Sequence, residues 1–411
     1  MPLTRRQIYR RRRIVVFGGL FALLAGIAYL PLTLFAPVTE TAAALEVPSI
    51  EAPAAAETSL PSYGASAITA LGHEGLLAQA GTGDPVPMAS ITKVVTALTI
   101  LDAHPISADD PGPAITMSAA DVASYRDYLA RNGSVAPVRS GWTFTQRELL
   151  EIMLIDSANN YATTLVRWAF GSLDGYLDAA RAWLSENGLT ETTVVDASGL
   201  DPRSTATVTD VVRLGELALQ NPVVAEIVGT SSIHIHDIGT VENTNALIGR
   251  EGVDGIKTGT LDSFGANLLF SSTIQVGSET IRLVGAVLGG PDHPTINAEI
   301  AGLIRQARDG FREVALVTAG ETFARYTTPW GATSRAVAAE SASVVVWGDT
   351  PVTVEATVED IRLGEAGETV GQAVFTAGHQ TRVVPLVLSD DIEDPGPWWR
   401  LGHPEIIFGM G

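Results

Sequence analysis

Twenty-three almost wholly apolar residues, Ile14 to Ala36, follow a flank that holds Arg5, Arg6 and Arg10 to Arg13 and no acidic residue. In a bilayer a stretch of this length must be helical, because a helix satisfies every backbone group without water. About 20 residues suffice for a hydrocarbon core roughly 30 Å thick. The basic flank sets the direction: residues 1–13 stay in the cytoplasm and the chain beyond residue 36 is exported. The alternative is a cleavable leader, with small residues for cleavage at Ala42, Ala43 and Ala44. Its apolar core would ordinarily run only about 7–15 residues, so an uncleaved transmembrane anchor over 14–36 is the expected arrangement.

Beyond the six N-terminal arginines the chain carries 20 basic residues against 46 acidic ones, a net charge of −26. Such acidity excludes nucleic acid as a natural partner. There is no cysteine, hence no disulfide scaffold, thiolate metal site or thiol nucleophile. Residues 37–61 are rich in Ala, Pro, Glu and Thr and read as an exposed tether. The apolar fraction of 46% supports a sizeable core after it.

Residues 62–313 mix strand and helix patterns. Ala65 to Leu71 and Leu76 to Ala80 read as strands joined by a turn at Gly72-His73-Glu74-Gly75. Ile91, Val94, Val95 and Leu98 recur at helical spacing from Ser90 onward. Thr145 and Glu148 form a capping box ahead of Leu149, Leu150, Met153 and Leu154. That helix runs out at Asp156-Ser157-Ala158-Asn159 and helix resumes at Tyr161, which puts Ser157 and Asn159 in the turn. Ile256 to Thr260, Asn267 to Gln275 and Ile281 to Leu288 read as strands, followed by a helix over Asn297 to Phe311. Residues 314–411 alternate as short strands do and read as a small β-rich C-terminal domain.

Within this frame the basic residues are almost all arginine. The two lysines are Lys93 and Lys257, and both stand in Ser/Thr-rich strings, Ser90-Ile91-Thr92-Lys93 and Lys257-Thr258-Gly259. Arginine keeps its proton in proteins, whereas a desolvated lysine can release it. Ser90 and Lys93 lie three apart on a helix and so share a face. A serine hydroxyl becomes a useful nucleophile when a nearby base takes its proton, and lysine is such a base once burial or a second cation lowers its pKa. Lys257 is a candidate for that second cation. Ser157 and Asn159 could relay a proton and bind a peptide group. Lys257 and Thr258 could face an anionic substrate end, Gly259 lets backbone approach, and the amide of Thr260 could hold an oxyanion. Taken singly, each string is also compatible with an ordinary helix cap, turn or strand end.

Taken in this order, the three strings are the motif set of penicillin-binding proteins and class A β-lactamases. Over roughly Ser62 to Phe311 the chain resembles the serine D-alanyl-D-alanine carboxypeptidases, the low-molecular-mass penicillin-binding proteins. Pro87 to Lys93, Asp196-Ala197-Ser198-Gly199-Leu200, Asn243-Thr244-Asn245 and Gly252 to Thr260 carry that resemblance. It implies an α/β fold, an antiparallel sheet flanked by helices plus a helical subdomain. It also implies a site in which Ser90 is the nucleophile and Lys93 its base. Ser157 and Asn159 would form the second motif and Lys257 the third, with Thr258 on the substrate carboxylate and the amides of Ser90 and Thr260 as the oxyanion hole.

The implied reaction removes the terminal D-Ala from peptidoglycan stems ending in D-Ala-D-Ala, with β-lactams as covalent inhibitors and no cofactor or metal. Asn160 departs from the family, which often has aspartate there. His234 and His236 alternate as on a strand and show no zinc-protease spacing. Trp398 and Trp399 read as docking on the β domain. A muropeptide endopeptidase, a β-lactamase and an inactive wall-binding module are the alternatives. The region from Glu191 to Asp201 offers no convincing deacylating glutamate, which disfavours the β-lactamase.

Overall fold

Three long runs between residues 253 and 290 dictate the architecture, because they are buried almost end to end and so must be covered on both faces. In the computed structural model, which describes residues 5–51, 54–73 and 75–410, they join a five-stranded antiparallel sheet. Its strands are β1 (Ala65–Ala70), β2 (Ala78–Gly81), β3 (Val253–Leu261), β4 (Gly265–Val276) and β5 (Glu279–Gly290). Their order across the sheet is β3-β4-β5-β1-β2. A tight turn at Gly277-Ser278 joins β4 to β5, with Val276 paired to Glu279. Residues 1–4 of the basic flank, 52–53 of the tether, Glu74 in the first turn and Gly411 lie outside the described residues.

Side chains alternate across β4 and β5 into two separate cores. Leu269, Val284, Ala286 and Leu288 face helices α1 (Thr92–Ala103), α2 (Gln146–Ile155), α3 (Asn159–Phe170) and α4 (Val208–Gln220). Leu268, Phe270, Leu283 and Val287 face α5 (His293–Gly310). The capping box at Thr145 and Glu148 starts α2. Helix α5 begins four residues earlier than the sequence suggests: Asp292 caps it and Pro294 occupies its first turn, where the missing N–H costs nothing. Phe311, expected to end that helix, instead opens a strand.

By contact the chain divides into Ala54–Glu313 with Val345–Asp349, and Met1–Pro53 with Val314–Val344 and Thr350–Gly411. The second unit is built on an antiparallel sheet ordered Thr322–Thr327, Thr333–Ala338, Gln380–Leu388, Thr369–Ala377, Val352–Val358. Residues along Val352–Val358 alternate between half-buried and exposed. The stretch 37–61, expected to be a free tether, departs from that reading. Ala44 and Leu45 pair with Arg325 and Ala324, and Thr41 bridges to Ile361. An edge strand offers unpaired backbone groups, and this segment takes them up. The N-terminal helix, Arg5–Phe35, is by length and composition able to cross a membrane.

Candidate active site

Ser90 lies in a single 3₁₀ turn, Ala89–Ile91, just before α1 opens at Thr92. The turn aims the serine at the helix: Lys93 Nζ donates to Ser90 Oγ at 2.9 Å and to the Ser198 carbonyl at 2.9 Å. Lys93 is fully buried. Burial first, and then the charge of Lys257, push its pKa well below the ordinary lysine range, while Asp196 pulls the other way. Such surroundings favour the neutral amine, a form able to accept a proton from a hydroxyl one hydrogen bond away.

The acceptor on the far side of Lys93 comes from a loop strapped by one carboxylate. Asp196 accepts from the amides of Gly199 at 2.9 Å and Leu200 at 3.0 Å, and from the hydroxyls of Ser198 at 2.9 Å and Ser204 at 3.0 Å. Thr96 Oγ1 ties the same loop to α1 through the Ala197 carbonyl at 2.8 Å. Gly199 has φ +75°, and a Cβ there would sit 1.8 Å from the Ala89 carbonyl, so only glycine lets the loop close on the Ser90 turn. The sequence singles out this string, but nothing local reveals that its carbonyl reaches Lys93.

Strand β3 brings the third motif alongside. Gly259 sits against the turn: a Cβ there would lie 3.0 Å from the Ser90 nitrogen and 2.9 Å from Ala89 Cβ. Lys257 is buried, and desolvation lowers its pKa to about 7, opposed by Asp156. Its ammonium donates to the Thr258 carbonyl at 3.2 Å. Thr258 Oγ1 shares a 2.6 Å hydrogen bond with Thr244 Oγ1. Thr260, exposed at the end of β3, bonds His293 Nε2 at 2.8 Å.

Ser157 occupies the turn between α2 and α3, as expected, with φ +61°. Asn159 does not: it is the first residue of α3, its amide bonded to the Ser134 carbonyl at 2.8 Å. Its side-chain oxygen is buried and has no hydrogen-bond partner among the described residues. Asn160 makes a two-way bond with the backbone of Ala136, at 3.1 Å each way, a structural role that an amide fills and a carboxylate could not fill in both directions. Asp156, beside Ser157, lies near enough to Lys257 for each to shift the other. Asp156, Thr244 and His293 are site neighbours that sequence reasoning left without a role. His236 stands just past its strand and bonds Glu148 Oε1 and the Thr143 carbonyl, both at 3.0 Å, away from any metal-like set.

A lysine-paired serine just before a helix, a serine in the turn ahead of a helix that opens on asparagine, and a Lys-Thr-Gly strand are the parts a serine acyl-transfer site needs. The D-alanyl-D-alanine carboxypeptidase family, peptidase family S11, matches residues 68–292, more than half of the chain, and the chain belongs to that family. It is therefore a serine-type DD-carboxypeptidase of the peptidoglycan-acting, penicillin-acylated class. The D-alanyl-D-alanine carboxypeptidase DacC of Escherichia coli strain K12 is 26% identical over 399 residues, covering 92% of this chain and 93% of that protein.

The D-alanyl-D-alanine endopeptidase of Pseudomonas aeruginosa is 27% identical over 197 residues, and the match spans 60% of its length. Among solved structures, penicillin-binding protein 3 of Streptococcus pneumoniae superposes with a TM-score of 0.58 at 22% identity, over 80% of this chain and 98% of that one. Penicillin binding protein 5 of Haemophilus influenzae gives 0.57 at 16% identity, over 85% and 99%. At such identities the structures establish the fold.

Proposed function

We propose that Ser90 is the acylated nucleophile and Lys93 its base, in an enzyme that trims the terminal D-Ala from peptidoglycan stems at the outer face of the membrane. The observation that carries this reading is the 2.9 Å bond from a fully buried Lys93 to Ser90 Oγ. Ser90 Oγ attacks the carbonyl of the penultimate D-Ala as its proton passes to Lys93. The amides of Ser90 and Thr260 hold the oxyanion. The C–N bond then breaks, and the proton is delivered through Lys93 and Ser157 to the departing amine of D-Ala. Water, deprotonated in turn, cleaves the Ser90 ester and releases the shortened stem.

In this reading Asn159 receives a substrate N–H on its unpartnered side-chain oxygen. Lys257 and Thr258 face the free carboxylate, and Gly259 keeps β3 close to Ser90. No cofactor or metal enters. Residues 62–313 form the catalytic domain and 314–411 the appended β domain. The N-terminal helix anchors the chain with its arginine flank in the cytoplasm and the catalytic domain on the extracytoplasmic side.

The test is mass spectrometry of a pentapeptide stem treated with the protein: loss of one alanine is expected, and an untouched stem would refute the reading. Labelled penicillin should map to Ser90; stoichiometric label on Ser157 would overturn the assignment. The similarity to an endopeptidase supports a second reading, cleavage of cross-linked dimers. Release of monomers from dimeric muropeptides faster than loss of alanine would favour it.

A further inference from the structure

A cavity of about 310 Å³ lies within the unit Ala54–Glu313, lined by the helix Ala119–Ala130 and by α3. Its walls join the reacting centre at two places. Asp196 and Ala197 line it, and the next residue, Ser198, gives its carbonyl to Lys93. Tyr128 and Thr163 line it too, and their hydroxyls share a 3.0 Å hydrogen bond. Thr163 stands one turn beyond Asn159 on α3. A Cβ on Gly133 would sit 2.7 Å from Asn159 Nδ2 and 3.3 Å from Tyr128 Cδ1, so a single glycine separates this wall from the second motif.

The cavity carries one group of each charge with bonding capacity to spare. Arg167 spends one N–H, at 3.2 Å, on the buried carboxylate of Asp121, which leaves most of its fork unspent. The pair that Asp127 makes with Arg131 at 3.3 Å is exposed on both sides and so contributes little. Asp196 differs, because its oxygens already hold the amides and hydroxyls of its own loop. Asp121, which fixes Arg167, stands six residues before Asp127 on one helix, about 9 Å of rise. A charge-assisted hydrogen bond of about 2.8 Å at each end leaves about 3 Å between the two groups of an occupant. An ammonium and a carboxylate on one carbon have that spacing. A lone anion or a lone cation would leave one wall unmatched.

We propose that this cavity binds the amine-and-carboxylate terminus of an amino acid, with the carboxylate on Arg167 and the ammonium on Asp127. Two sources bring that group to the enzyme. One is the side chain of the stem residue preceding the D-Ala pair, where it ends in an amine and a carboxylate on one carbon. The other is a free amino acid such as the released D-Ala. The link to catalysis rests on reading Ser90 and Lys93 as nucleophile and base. Two 2.9 Å hydrogen bonds join Ser90 Oγ to the Ser198 carbonyl through Lys93, which puts Ala197 within about 12 Å of the nucleophile. The preceding stem residue stands about 3.5–7 Å from the attacked carbonyl, and a long side chain spans the rest. An occupant from either source then rests on the loop that presents Ser198 to Lys93, and so bears on the base.

The full chain in detergent micelles is given three pentapeptide stems that differ at the residue before the D-Ala pair. One side chain ends in an amine and a carboxylate on one carbon, lysine has the amine alone, and alanine has neither. In parallel, D-alanine is titrated calorimetrically onto the chain after penicillin has blocked Ser90, with N-acetyl-D-alanine as the control that lacks the amine. A stem subsite predicts the highest kcat/KM for the first stem. Arg167→Lys keeps a charge beside Asp121 but gives up the fork, and should cost that stem roughly tenfold. Asp127→Asn should cost it about two- to fivefold, and the alanine stem should lose much less in both variants. A site for a free amino acid predicts equal stems and a D-alanine affinity that falls by the same factors, with no binding of the control. No preference among stems together with no D-alanine heat overturns the proposal. So does a preference that survives in both variants, or an equal loss on all three stems, which would leave Arg167 and Asp127 to the fold alone. If no stem is trimmed, the proposed trimming reaction fails by itself, and the D-alanine titration decides the cavity.

Discussion

Both lysines of this chain are buried, yet their surroundings are built to opposite ends. Lys93 has two local acceptors, Ser90 Oγ and the Ser198 carbonyl, the second presented by a loop folded around Asp196. Lys257 bonds, among the described residues, the carbonyl of its neighbour Thr258, and its electrostatic counterpart is Asp156, next to the second motif. Desolvation is the first cause at both; the charge of Lys257 lowers Lys93 further, while the charge of Asp156 raises Lys257. In the proposed mechanism Lys93 is the neutral amine and Lys257 the cation. Two like groups whose environments drive their pKa values apart are how one site obtains a base and a charge together. Arginine could serve at neither place: it cannot yield a proton at the first, and at the second its larger planar fork would have to fit a slot filled by an ammonium.

The strongest challenge to this contrast is Lys93→Arg. The charge survives and the proton acceptor is lost, so penicillin acylation should fall by about 10²–10⁴-fold, the usual range for general-base catalysis. A near wild-type burst rate would remove Lys93 from that role. Next in size is Thr258→Val, which deletes the hydroxyl beside Lys257 and keeps its shape. A hydrogen bond to a carboxylate is worth about 1.5–3 kcal/mol, so kcat/KM for a stem ending in a free acid should drop roughly ten- to a hundredfold. The same change also leaves Thr244 without its partner, an effect common to all substrates. A stem ending in a C-terminal amide therefore serves as the control and should lose much less. Equal losses would detach Thr258 from carboxylate recognition.

What was legible in the sequence was local. The three-residue spacing of Ser90 and Lys93 already implies contact, because a helix start brings those positions together whatever surrounds it. The retention of two lysines in an arginine background marked the pair now found buried. The β3, β4 and β5 runs declared themselves by length and apolarity. What escaped lies across the chain. The Ser198 carbonyl reaches Lys93 from 105 residues away. His293 meets Thr260 from the first turn of a helix that the sequence places four residues later. Residues 37–61 look like a linker by composition, since a strand of two residues, Ala44–Leu45, leaves no periodic signal. Fold class and motif order follow from local pattern; the electrostatic partners that set each lysine's pKa follow from tertiary packing alone.

Two carboxylates allow the finest test of the contrast, through the pH dependence of kcat/KM, which reports the free enzyme. The proposed mechanism requires Lys93 neutral and Lys257 charged, so the acid limb should follow the first and the alkaline limb the second, as apparent values of the coupled pair. With Lys257 lowered to about 7, the alkaline limb should fall near neutral pH, well below that of an ordinary lysine. Asp156 raises the pKa of Lys257 and Asp196 that of Lys93. Removing a negative charge makes protonation of a nearby amine harder, so each substitution lowers the pKa of its own lysine. Asp156→Asn should therefore move the alkaline limb to lower pH and narrow the profile. Asp196→Asn should move the acid limb to lower pH and widen it. If both variants displace both limbs together, the lysines titrate as one unit and the division between base and cation collapses. If Asp196→Asn lowers the rate at every pH without moving the acid limb, the carboxylate serves only to fold the loop that presents the Ser198 carbonyl.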